Sequence, residues 1–162
     1  ACQTILNIAN ILFQSLENII PAATSKKFMS RGKNYMDNFL SEIMKKGLLF
    51  TACLSLIIAL TAKPLLYFFY GNEIANYSDI LIFMTILIPL HFLQYPTTYG
   101  LRTLNKTKPL FISYIITTTI AISISNYVID YFQIYGFIFG LYLSQMIITA
   151  YLYISYKKYL NN

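Results

Sequence analysis

The sequence predicts an all-α integral membrane protein with five transmembrane helices and an interfacial amphipathic helix. Three observations predict it. Five apolar segments, at about 4–22, 47–66, 80–101, 110–129 and 134–156, each approach the ~20 residues a helix needs to cross the hydrocarbon of a bilayer. Their connections alternate in charge. The composition, 57% apolar and 11% charged residues, would leave a water-soluble domain of this size with more oily surface than it could hide.

The charge alternation also predicts orientation. Lys26, Lys27, Arg31, Lys33, Lys45 and Lys46 follow the first segment, Arg102, Lys106 and Lys108 the third, and Lys157 and Lys158 the last. The connections after the second and fourth carry Glu73, Asp79 and Asp130, and the remaining cation, Lys63, can snorkel from a helix end. Basic connections belong on the cytoplasmic side, so the amino end of the segment is expected outside and the carboxyl end inside. The formal charge of +6 then reads as attraction to an anionic inner leaflet, with no nucleic-acid partner expected. No signal peptide is visible in the opening ACQTIL. An apolar helix starting outside leads us to expect that the chain is the carboxyl-terminal part of a longer protein or a truncated reading frame.

The first segment carries Gln3, Asn7, Asn10, Gln14 and Glu17 at spacings of four, three, four and three, which align them on one helix face. A carboxylate near the middle of a lipid-facing helix costs about 2.5–3.5 kcal/mol, so the stripe is expected to face protein or a wet cavity. The amides serve equally as cavity lining or as hydrogen bonds between helices. For Glu17 a cavity or an ion pair is favoured. Pro21 is expected to end or kink this helix. Residues of about 33–46 carry Tyr35, Met36, Phe39, Leu40, Ile43 and Met44 at helical spacing among cations, which predicts an amphipathic helix lying on the inner surface, entered by a turn at Gly32.

The second segment ends at Lys63-Pro64 with an aromatic belt, Tyr67 to Tyr70, before a turn at Gly71-Asn72. The third holds Pro89, His91, Gln94 and Pro96, so its backbone must bend and leave carbonyls in need of partners. His91, the one histidine, is more often a hydrogen-bonded packing residue than a proton carrier in such a setting. With Gln94 three residues on, it can form a polar pair able to bond a substrate hydroxyl. The fourth segment is rich in Ser and Thr, including Ser113, Thr117, Thr119, Ser123, Ser125 and Asn126, whose hydroxyls can bond back to their own helix. In the fifth, Gly136, Gly140 and Ser144 recur every four residues, a helix-packing signal, and Gln145 beside them reads as a bond between helices. Cys2 and Cys53 are poorly placed to pair. No nucleophile with its base, carboxylate pair, phosphate loop or metal-ligand cluster is present in the sequence, so neither an enzyme nor a cofactor or metal is expected.

In its order of features the chain resembles the bacterial polysaccharide (O-antigen type) flippases of the multidrug/oligosaccharidyl-lipid/polysaccharide exporter superfamily. Residues 7–21, Asn7 to Pro21, are similar to a Leu-x-x-Ala-Leu-x-Asn-x-x-Pro pattern that precedes a basic loop there. Phe69-Tyr70-Gly71-Asn72-Glu73, Leu104-Asn105-Lys106-Thr107-Lys108, Ser125-Asn126-Tyr127-Val128-Ile129 and Tyr135-Gly136-Phe137-Ile138-Phe139-Gly140 follow the family's later landmarks. The resemblance implies that these helices are part of a six-helix lobe, the carboxyl-terminal one of a transporter whose amino-terminal lobe is missing here. It further implies alternating access in the bacterial cytoplasmic membrane and movement of undecaprenyl-diphosphate-linked oligosaccharide for surface polysaccharide or lipopolysaccharide biosynthesis. Two other readings remain open: a cation-coupled drug antiporter of the same superfamily, with Glu17 as ion ligand, and a non-transporting membrane subunit or gene remnant.

Overall fold

A computed structural model describes the backbone of residues 2–161 and, within it, all side chains except those of residues 3, 5, 6, 8–12, 14–16, 124–127, 129 and 130. Every regular element among the described residues is a helix: α1 (Cys2–Leu60), α2 (Ala62–Tyr70), α3 (Asn72–Ala75), α4 (Ser78–Thr85), α5 (Leu87–Phe92), α6 (Gln94–Thr103) and α7 (Lys108–Asn161). Two of these are bent pairs. Gly32 breaks α1 at φ 78°, ψ −170°, into arms 2–31 and 33–60, and Gln133 breaks α7 at φ 50°, ψ −126°, into arms 108–132 and 134–161. Three of the described helical stretches, Glu17–Leu60, Ser78–Thr103 and Tyr131–Asn161, are long and apolar enough to cross a membrane, and Lys108–Ser123 is a shorter apolar helix.

The stretch α4–α6 is the hub. Half of its most apolar window is buried inside the molecule, against 11% and 17% for the other two long stretches, because both arms of α1 pack on one side of it and α7 on the other. Successive layers run along it. Ile80 and Met84 meet Ile138 at one end, Phe13 and Ile58 meet Ile88 and Phe92 in the middle, and Ile20, Met36 and Leu40 meet Tyr99, Leu101, Leu152 and Tyr156 at the other. This order requires neighbouring arms to alternate in direction, as the charge pattern predicts.

Two expectations need correction. Pro21 does not end the first helix: the backbone stays helical to Arg31, because Ile20, Thr24 and Phe28 are held in the end layer and Thr24 donates its hydroxyl to the Ile20 carbonyl at 2.7 Å. The break falls at Gly32, where only glycine takes the positive φ without strain. Nor is 33–46 a separate helix lying on a surface. It is continuous with the second expected crossing, and its stripe is spent on protein: Met36 and Leu40 are buried between α6 and the last arm of α7. Asp37 locks this docking, accepting from Tyr156 Oη at 3.0 Å and from Lys157 Nζ at 3.0 and 3.2 Å. Glu42 on the opposite, exposed face pairs with Lys46 at 2.6 Å.

Local chemistry explains the other breaks. Pro64 has no N–H to give the Leu60 carbonyl, and the helix turns at Thr61 before restarting as α2, where Pro64 sits in a first turn that tolerates it. Gly71, at φ 83°, closes α2. After α6, Asn105 takes a left-handed conformation (φ 56°) while Lys106 N–H bonds Leu101 O and Asn105 N–H bonds Arg102 O, the paired bonds of a Schellman cap.

Candidate functional site

The hub's helical hydrogen bonding is interrupted where Pro89 and Pro96 stand, while the backbone at Ile86 and Leu93 keeps helical dihedrals. Pro89 cannot donate to Thr85 O, four residues earlier, and the stretch divides at Ile86 and again at Leu93. The freed carbonyl is not left bare: Ser55 of the second α1 arm donates its hydroxyl to Thr85 O at 2.9 Å in a buried contact. Two residues earlier, Tyr142 of α7 donates its hydroxyl to Phe83 O, which also receives Ile86 N–H at 3.3 Å. Helices on both sides therefore bond carbonyls of the interrupted segment, and at Thr85 O the neighbour replaces the bond Pro89 cannot give. Within a bilayer, irregular backbone is tolerated only on those terms.

Below this break a chain of side-chain hydrogen bonds crosses the molecule. Tyr95 Oη lies 3.4 Å from His91 Nε2, and His91 Nδ1 lies 3.3 Å from Gln145 Oε1. Gln145 Nε2 donates to Gln94 Oε1 at 3.1 Å, and Gln94 Nε2 donates to Tyr114 Oη at 3.1 Å. With hydrogen on His91 Nδ1 every link runs the same way, from the Tyr95 hydroxyl to the Tyr114 oxygen, an arrangement in which each bond polarises the next. That tautomer is assigned from these partners. The two histidine links are the long ones. Phe13 backs the ring at 6.5 Å, and Tyr95 meets it edge-on at 5.4 Å. Gln94 is buried, His91, Tyr95 and Gln145 are half-buried, and Tyr114 is exposed, so the chain runs from the middle of the bundle out to its surface.

Of the residues the sequence singles out, the structure brings together His91 and Gln94, joined through Gln145 rather than directly. The first arm presents Phe13, Ile20 and Thr24 to the core. At ~100° per residue, Glu17 lies roughly 40° and Asn7 roughly 120° round the helix from that line. Both are exposed on the flank of the bundle. Among the described residues no Lys or Arg pairs with Glu17. The side chains of Gln3, Asn10 and Gln14, and of Ser125 and Asn126, lie outside the described residues.

Gly136 sits against the backbone of the preceding arm, where an added Cβ would fall 2.3 Å from Val128 O. Gly140 has open space beside it and, with Ser144, lines an apolar cavity of about 280 Å³ between the two α7 arms. The hydroxyls of Ser113, Thr117, Thr119 and Ser123 bond back to carbonyls three or four residues earlier, as expected.

Sequence reasoning did not place Tyr95, Tyr114, Ser55 or Tyr142 in this region. For Ser55 a signal existed, since a proline in a crossing calls for a hydroxyl opposite the carbonyl it orphans. For the tyrosines there was none short of knowing which helices adjoin. No protein-family profile, curated protein or solved structure matches this chain.

Proposed function

We propose that this chain is a lobe of a bacterial inner-membrane transporter that moves undecaprenyl-diphosphate-linked oligosaccharide between leaflets during O-antigen or capsule synthesis. In this reading the basic end of the bundle faces the cytoplasm and a second lobe, outside this chain, completes the transport pathway. The observation that carries it is the amide and hydroxyl chain through His91, Gln94 and Gln145, seated on a central helix already broken at Ile86 and Leu93.

Sugars are bound through hydroxyls, and amides that both donate and accept can exchange an interhelical bond for a bond to such a group. A segment whose carbonyls are held by neighbouring side chains can change shape when those neighbours move, which alternating access requires. The exposed Glu17 and Asn7 flank supports a face turned to the second lobe or to a wet pathway, because either would relieve the cost of a carboxylate in lipid. Diphosphate calls for cations. The deepest stretches of this chain supply none, so that role falls to the second lobe.

The test is complementation: the full-length protein expressed in a strain lacking its polysaccharide flippase, alongside Glu17→Ala and Gln94→Leu. Restored surface polysaccharide is expected from the unaltered protein, with a loss of about tenfold for Gln94→Leu, the worth of roughly 1.4 kcal/mol of binding, and a comparable loss for Glu17→Ala. No restoration by a well-expressed full-length protein would overturn the reading and favour an antiporter or a non-transporting subunit.

A further inference from the structure

Each glutamine of the bond between α6 and the last arm of α7 has a threonine one turn on along its own helix: Thr98 follows Gln94, and Thr149 follows Gln145. Both threonine hydroxyls are buried, and neither finds a hydrogen-bond partner among the described residues. Burying a hydroxyl without a bond is unfavourable. Threonines elsewhere in the bundle avoid it: Thr24, Thr51, Thr85 and Thr117 turn their hydroxyls back to carbonyls three or four residues earlier. Thr98 and Thr149 do not.

The spacing couples each hydroxyl to an amide. Residues four apart on a helix share a face with Cβ atoms about 5–6 Å apart. Helical side chains lean towards the amino end, so each threonine leans back towards its glutamine. Both amides are at present engaged across helices. Gln145 Oε1 faces His91 Nδ1 at 3.3 Å, Gln145 Nε2 donates to Gln94 Oε1 at 3.1 Å, and Gln94 Nε2 donates to Tyr114 Oη at 3.1 Å. Turning the two amides along their own helices would satisfy the threonines and give up these bonds. One hydrogen bond is exchanged for another of the same kind, which keeps the two arrangements close in free energy.

We infer that Gln94 and Gln145 form a two-position switch, bonded to each other in one position and to Thr98 and Thr149 in the other. The second position releases the His91 ring and the Tyr114 hydroxyl and so opens the polar chain without moving a helix. The cargo that would use the opened chain belongs to the transport reading above. The switch itself does not rest on that reading.

His91, the one histidine of the sequence, reports the switch. With selective 15N-histidine labelling in detergent micelles, its Nδ1 resonance is assigned by its loss in His91→Gln and followed by relaxation dispersion. The unaltered protein should show exchange between a bonded and a released imidazole. Thr98→Val combined with Thr149→Val keeps the side-chain shape and removes both hydroxyls, and should lower the released population about tenfold, the worth of roughly 1.4 kcal/mol. Thr98→Ser combined with Thr149→Ser keeps the hydroxyls and should retain the exchange.

The valine pair should also raise the thermal unfolding midpoint by about 2–4 °C, because the present position leaves both hydroxyls unpaired. No exchange in the unaltered protein, a released population untouched by the valine pair, or a lowered midpoint would overturn the switch. A protein that fails the complementation test yet shows this pattern would leave the switch standing and remove only its cargo.

Discussion

A single proline organises the centre of this molecule. Pro89 withholds one N–H, and Ser55 in another helix answers with a hydroxyl on Thr85 O. The contact is buried, so Ser55→Ala strands a carbonyl and should cost about 1–3 kcal/mol. Pro89→Ala restores the N–H that can bond Thr85 O within the helix. In a double-mutant cycle read from thermal unfolding in detergent, Ser55→Ala should therefore cost little once Pro89 is replaced. Equal costs in both backgrounds would show that Ser55 acts by packing alone. Side-chain bonds between helices in membranes average only about 0.6 kcal/mol, so the links through His91, Gln94 and Gln145 contribute arrangement more than stability. The sequence exposes His91 and Gln94 because they stand three apart on a segment that prolines interrupt. It marks Gln145 as a bond between helices without its partners, and it cannot expose Tyr114, because both depend on α7 lying beside α5 and α6.

Among the elements, the second arm of α1 separates what periodicity tells from what it does not. The spacing of Met36, Phe39, Leu40 and Ile43 announces an apolar stripe, but a stripe is the same whether lipid or protein covers it. Here Met36 and Leu40 are covered by Tyr99, Leu152 and Tyr156, while Phe39 is half-buried beneath Lys27. Leu40→Ala should thus destabilise the protein by about 2–5 kcal/mol. Phe39→Ala should cost less than half of that, as measured by the same unfolding assay. A helix lying flat on a membrane would show no such difference. The breaks at Gly32 and Gly71 were legible because glycine alone takes those φ values freely, and the break at Gln133 because a polar connection separates two apolar runs. Pro21 does not end the helix for the opposite reason: burial of Ile20 and Thr24 outweighs one lost hydrogen bond.

At the scale of the whole molecule, two features belong together. Large apolar side chains such as Leu49, Phe68, Ile122 and Phe139 point outward along the length of the bundle, a surface water would not tolerate at that extent. Cations other than Lys63 gather towards one end: Lys33 reaches Tyr159 O at 3.4 Å, Lys106 stands over the Tyr159 ring at 5.5 Å, and Lys157 pairs with Asp37. Glu73 and Asp79 flank the turns at the other. Charge alternation along the sequence has become charge separation in space, which is why the direction of the helices was legible before any packing was known. The reading of this chain as one lobe of a membrane transporter rests on that separation marking two sides of a bilayer. The most direct test is cysteine accessibility in whole cells, with Cys2→Ser and Cys53→Ser as background and single cysteines introduced at exposed Asn72 and exposed Thr107. A membrane-impermeant maleimide should label Asn72→Cys in intact cells and Thr107→Cys only after permeabilisation, whereas labelling of both from outside, or the reverse pattern, would contradict the account.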